Sequence, residues 1–161
     1  MNCLRQTTFA VLAAVVFVSC EESSQKPIEE KFEGILQMDN MCNVLGGDAT
    51  DFLPRPEVCI DTTVVPPVAC PPKNYSLVGA CPNPSDGGTE IQFAISEIDS
   101  VWIFAYDRPG LPPVDTLFNQ GNRRPGVYTV VWQSPSGPGI YRIRMFTASG
   151  FRSYGDVQFT N

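Results

Sequence analysis

The chain has 161 residues, enough for one domain with short appendages and too few for two full domains. It contains no histidine, which excludes a Ser-His-Asp triad, a Cys-His nucleophile pair and every histidine-ligated metal site. The 15 prolines and 13 glycines disfavour long helices, and a net charge of -6 has the wrong sign for a nucleic-acid partner.

At the amino terminus Arg5 precedes an unbroken apolar run from Phe9 to Val18, the length of a signal-peptide core and too short to span a bilayer. Phe17-Val18-Ser19-Cys20 closes the run, and the acidic, polar stretch from Glu21 to Gln25 follows. This arrangement resembles the signal of bacterial lipoproteins, with Phe17 standing where an aliphatic residue is usual. The resemblance implies removal of residues 1–19, acylation of Cys20 and attachment to a lipid membrane through it. An ordinary secretory signal and an uncleaved anchor are the alternatives. All three put the body outside the cytoplasm, and the lipoprotein reading puts it in the bacterial cell envelope, on the outer membrane or the periplasmic face. Residues 20–34 then read as the acylated cysteine and a polar tether, against the alternative of a short amphipathic helix through Ile28, Lys31, Phe32 and Ile35.

Four cysteines remain in the body, Cys42, Cys59, Cys70 and Cys81, at spacings of 17, 11 and 11 positions. None forms a Cys-x-x-Cys pair, so two disulfides are expected rather than a redox motif or a zinc site. Three connectivities are open, and loop-closure entropy favours Cys42 with Cys59 and Cys70 with Cys81. Pro54, Pro56, Pro66, Pro67, Pro71 and Pro72 remove backbone donors and enforce extended geometry, so residues 35–74 are expected to form an irregular, disulfide-stapled collar. Within it, Gly46 to Asp51 carries only Asp48 and Asp51 as carboxylates, which is a turn rather than a calcium loop. Asn74-Tyr75-Ser76 matches a glycosylation sequon, an accidental match in a bacterial lipoprotein.

From Tyr75 onward short β-prone runs alternate with turn residues, the pattern of an antiparallel sandwich. Tyr75 to Val78 is a candidate first strand. Thr89 to Ser96 puts Ile91, Phe93 and Ile95 on one face and Glu90, Gln92 and Ala94 on the other. Val101 to Tyr106 is apolar on both faces, as a central strand covered on each side would be, and Asp107-Arg108-Pro109-Gly110 reverses the chain. Val114 to Phe118 follows, Gly121-Asn122 and Pro125-Gly126 mark the next corner, and Tyr128 to Trp132 returns. Ile140 to Thr147 turns Tyr141, Ile143 and Met145 inward against Arg142 and Arg144 outward, and Tyr154 to Thr160 is the last run.

Pro82-Asn83-Pro84-Ser85, Thr89-x-Ile91-x-Phe93, Val101-x-Ile103, Val114-x-Thr116-Leu117, Val130-x-Trp132 and Gly139-Ile140-Tyr141 together resemble the Ig-like domain of flagellar hook-capping proteins and the C-terminal sorting domains of type IX secretion substrates. The resemblance covers residues 75–161 and implies an all-β, Ig/fibronectin-III-like sandwich. Asn83 and Pro84, behind Pro82, would shape the lead into the first strand, and Trp132 and Tyr141 would fill the core. The chain departs from the pattern in Cys81, where an aromatic is common, in a short insert after Trp132, and in a last stretch without lysines. The expected function is a membrane-tethered, non-catalytic envelope module that needs no cofactor and takes an envelope protein or polysaccharide as partner. The alternative is a sorting domain on a small passenger. Paired carboxylates, Asp99 with Asp107 or Glu97, are the enzymatic reading and have no evident source of a raised pKa. The aromatics Trp102, Phe104 and Tyr106 are expected to belong to buried sandwich faces.

Overall fold

The computed structural model describes residues 32, 34–54, 60–61, 63, 66, 68–133 and 137–161. The expected signal peptide, Cys20, nearly all of the 20–34 tether and Cys59 lie outside the described residues. Among the described residues every element is a β-strand, and every paired strand runs antiparallel to its neighbour.

Two short pairs come first: β1 (Leu36–Met38) with β2 (Val44–Gly47), and β3 (Ile60–Asp61) with β4 (Val68–Ala69). The seven strands that follow are β5 (Ser76–Cys81), β6 (Gly88–Ile95), β7 (Asp99–Tyr106), β8 (Asp115–Arg123), β9 (Gly126–Gln133), β10 (Gly139–Thr147) and β11 (Gly150–Phe159). They divide into a three-stranded sheet ordered β5-β6-β9 and a four-stranded sheet ordered β11-β10-β7-β8.

Strict alternation places one face of each sheet in a shared core. Ile91, Phe93 and Ile95 of β6 meet Val101, Ile103 and Ala105 of β7 and Ile143 and Met145 of β10, all fully buried. Trp132, Tyr141 and Phe159 close one end of this core edge-to-face, with ring centroids 4.9–5.8 Å apart. The Trp132 indole N–H donates to Asp115 at 2.9 Å, and the Tyr141 hydroxyl donates to the Gly137 carbonyl at 2.7 Å, so neither polar tip is left unpaired.

The structure departs from the pattern reading in four places. Ala94, assigned to the outer face of β6, is fully buried. On β7 only Val101, Ile103 and Ala105 enter the core; Trp102, Phe104 and Tyr106 point to the other face and stay half-buried. The corner expected over Gly121 to Gly126 is confined to its second half, because β8 runs through Gly121-Asn122: the ladder with β7 slips between Asp99 and Val101, and Asn122 absorbs the slip at φ +52°.

The fourth departure concerns residues 35–53, which carry the β1–β2 hairpin where an irregular course was expected, and which enter the core through Ile35, Leu36, Met38 and Phe52. Phe52 is completely buried, and its ring occupies the space a side chain at Gly155 would need. Backbone hydrogen bonds fasten this segment on: Met38 and Asn83 exchange bonds of 2.8 and 2.9 Å, and the Phe52 N–H donates to the Tyr154 carbonyl at 3.0 Å.

The disulfide joins Cys42 to Cys81 across 39 positions, with Cα atoms 5.2 Å apart, which corrects the Cys42–Cys59 and Cys70–Cys81 pairing. Cys70 is also disulfide-bonded. Loop entropy is a weak selector here, because closing the longer loop costs only about 0.7 kcal/mol more than closing the shorter one. Packing of β1 against β5 decides the outcome: Met38 reaches the face of Gly79, and the hairpin delivers Cys42 beside Cys81 at the end of β5.

Candidate functional site

The most ordered polar constellation lies where Phe32 and residues 34–53 meet the β10–β11 edge. Asn83, held between Pro82 and Pro84, is fully buried and saturated. Its amide donates to the Leu36 and Asp156 carbonyls, each at 2.9 Å, and its side-chain oxygen accepts the Gln158 N–H at 2.9 Å. Beside it, Arg142 donates twice to Asp156 at 2.7 Å, a bidentate pair with both side chains buried. The guanidinium sits under Phe32 and over Tyr154, 4.6 and 4.5 Å from the ring centroids. Arg142 does leave the core face, as its alternation predicts, but the incoming segment and Asp156 take it out of water.

Asp51 completes the group. Its carboxylate accepts the Leu36 N–H at 3.1 Å and a bond from the Asp156 backbone amide. Burial, together with the negative charges of Asp156 and Asp48, pushes its pKa up to about 7, against a reference near 3.8. The folded state therefore holds a proton that the unfolded chain has released, and Asp51 erodes stability as pH rises from about 4 to about 7. Over that interval the loss amounts to about 4 kcal/mol, after which the curve flattens. Asp39, Asp48 and Asp99, all held below their ordinary values, act only at lower pH. Urea midpoints recorded from pH 4.5 to 8.5 should fall across this range for the native chain and stay level for Asp51→Asn. A native profile as flat as the variant's would show that Asp51 is ionised throughout.

A second feature is the outer face of the four-stranded sheet. The registers Phe104 to Arg144 to Tyr154 and Trp102 to Phe146 to Phe151 lay aromatic rings and a guanidinium side by side across three strands. Phe104 and Phe146 have centroids 6.0 Å apart, Phe146 and Phe151 5.8 Å, and the Arg144 guanidinium lies 5.2 Å from the Tyr106 ring. Trp102, Phe104, Tyr106, Arg144, Phe146 and Tyr154 are half-buried, and Phe151 is 53 % exposed. A surface of this kind offers ring faces for apolar or C–H contacts, with the Arg144 guanidinium set among them.

Of the two carboxylate pairs singled out, Asp99 with Asp107 stays apart, whereas Asp99 and Glu97 meet at the Tyr75 hydroxyl. Asp99 and Asp107 flank opposite ends of β7, whose eight residues put them about 27 Å apart at 3.4 Å per residue. Asp99 and Glu97 both accept from the Tyr75 hydroxyl, at 3.0 and 3.3 Å. Burial works to raise the Asp99 carboxyl, but bonds from the Ser100 N–H and the Tyr75 hydroxyl outweigh it and keep the group below its usual range. Asp48 accepts from the Thr50 N–H and hydroxyl at 2.8 and 2.7 Å, a local turn. A shallow groove of about 340 Å³ beside Cys81 and Pro82 has Glu90 as its sole ionisable lining group among the described residues. Among the described residues no three His, Cys, Asp or Glu side chains are grouped to hold a metal.

Of the residues singled out in the sequence, Cys42 and Cys81 meet, Trp132 and Tyr141 meet in the core, and Asn83 becomes a buried hub flanked by half-buried Pro82 and exposed Pro84. Cys20 and Cys59 are not among the described residues. Sequence reasoning treated Asp51 only as a turn carboxylate and passed over Asp156 and the Arg144–Phe146–Phe151 face. The outward set was detectable, since Arg144 and Phe146 fall at the positions that alternate with the inward Tyr141, Ile143 and Met145. Comparison with protein-family models, curated proteins and solved structures finds no match to this chain.

Proposed function

We propose that this chain is a membrane-tethered lipoprotein of the bacterial cell envelope, whose fibronectin-III-like sandwich is a non-catalytic module binding an envelope protein or polysaccharide. The observation that carries the reading is the half-open face of Trp102, Phe104, Tyr106, Arg144, Phe146 and Phe151. Aromatic side chains of this size bury themselves where a fold can arrange it, and here the core takes the aliphatic neighbours instead. The sandwich identity is supported by the three-and-four division of β5–β11, with the chain crossing between sheets after β6, β8 and β9. It is supported also by the Tyr141 hydroxyl bonding back to a carbonyl four residues upstream, as a tyrosine corner does. The tether is supported by the apolar leader ending in Ser19-Cys20. A non-catalytic role agrees with carboxylates committed to structure, Asp156 to Arg142 and Asp99 to Tyr75.

Two measurements test it. Mass spectrometry of the membrane fraction should find Cys20 as the acylated first residue, and Cys20→Ser should release the protein. The released form should co-sediment with isolated cell envelopes, and Phe104→Ser with Arg144→Glu should weaken that retention at least tenfold at a temperature where circular dichroism shows the variant fully folded. Retention indifferent to both substitutions removes the binding face, and an unacylated Cys20 removes the tether.

A further inference from the structure

The lateral edges of the two sheets are treated very differently. On one side β11 is covered by Leu53, which bridges to Tyr154, and by Ser85, whose N–H donates to the Gln158 carbonyl at 2.9 Å. The neighbouring β5 lies under the β1–β2 hairpin and is stapled to it through Cys81. On the opposite side β8 and β9 are both last in their sheets. β8 is guarded in the usual ways: it is polar through Asn119, Gln120, Asn122 and Arg123, and its ladder with β7 is broken twice.

β9 has no guard. From Gly126 to Gln133 it contains no charged residue and no proline, and it pairs with β6 over its whole length without a bulge. Its outward side chains are Val127, Thr129 and Val131, all exposed, the valines at 60 % and 67 %. A straight, uncharged, β-branched edge with a free row of backbone groups is a template for another strand.

We propose that β9 pairs edge to edge with β9 of a second copy of this chain, joining two three-stranded sheets into one six-stranded antiparallel sheet. Self-pairing is favoured over a foreign strand because the edge is complementary to itself. Directly opposed residues of an antiparallel pair share a face, so a two-fold register must be centred on a residue and not between two. Centred on Thr129, it sets Val127 against the partner's Val131 and Thr129 against the partner's Thr129. It also keeps the Tyr128, Val130 and Trp132 row on the core side of both copies. Electrostatics does not oppose the approach: residues 75–161 hold six arginines against seven acidic side chains, while the remaining acidic residues precede them. With no charge on β9, nothing selects an oppositely charged peptide.

Sedimentation of the full chain in a mild detergent, from 1 to 100 µM, should show a concentration-dependent dimer. Val127→Lys with Val131→Lys should weaken dimerisation at least tenfold while leaving the melting temperature unchanged, since both side chains face solvent in the monomer. Under oxidation Thr129→Cys should give a covalent dimer above the background of the native cysteines. Val127→Cys should not, because that register holds the two copies of the residue about 14 Å apart along the strands. A chain monomeric throughout the range, or a dimer indifferent to the lysines, overturns the proposal.

Discussion

Asn83→Ala will be among the most damaging single substitutions in this protein, lowering unfolding free energy by about 3 to 5 kcal/mol in urea titrations. The side chain is fully buried and makes three hydrogen bonds to backbone groups from two distant segments, Leu36 on one side and Asp156 and Gln158 on the other. Alanine leaves two carbonyls and one N–H unpaired where water has poor access, each costing about 1 to 3 kcal/mol, and a cavity besides. The loss should be local as well as global. Amides of residues 36–47 should exchange faster than those of β6 and β10, because Asn83 is what fastens that hairpin to β11. Asn83→Leu separates hydrogen bonding from packing: the volume is nearly kept, every polar group of the amide goes, and a loss equal to that of alanine would show that hydrogen bonding rather than packing sets the energy. A cost under about 1 kcal/mol for either variant would mean that solvent replaces the amide.

Arg142→Met should cost about 3 to 5 kcal/mol, because it leaves the Asp156 carboxylate buried without its cation and next to Asp51. The deficit should widen with pH as Asp51 gives up its proton and two negative charges share the site. Adding Asp156→Leu removes the stranded charge, and the double variant should recover most of the loss, since a well-packed apolar pair often matches a buried ion pair. The pairwise term follows from a double-mutant cycle on urea midpoints. If the double variant is no better than Arg142→Met, the guanidinium contributes chiefly through its stacking between Phe32 and Tyr154.

These two residues also mark how far the sequence could be read. Asn83 stands out within Pro82-Asn83-Pro84, yet its three acceptors and donors lie 47 to 75 positions away and nothing local announces them. Arg142 reads as an outward, solvated residue from the alternation of β10, and it is outward. What removes it from water is Asp156 and Tyr154 of the neighbouring strand together with Phe32, which belongs to a segment with little periodicity of its own.

On β7, a run apolar at every position carries no signal for which alternate set turns inward. Only pairing with β10 on one side and β8 on the other settles that Val101, Ile103 and Ala105 form the core and that Trp102, Phe104 and Tyr106 form the outer face. The cysteine pairing was equally invisible, because chain entropy distinguishes the candidate loops by less than one good hydrogen bond contributes.

By itself the sequence determined the exclusions that follow from having no histidine, the all-β class, and the inward faces of β6 and β10, since each depends on composition or on a two-residue period within one strand. The tertiary structure alone decided the Cys42–Cys81 bridge, the raised pKa of Asp51, the burial of Arg142 and, among the described residues, the unguarded edge at β9. Each of these is set by which distant segment lies alongside. That choice is made by the burial and hydrogen bonding of the whole sandwich, to which no short stretch of chain holds the key.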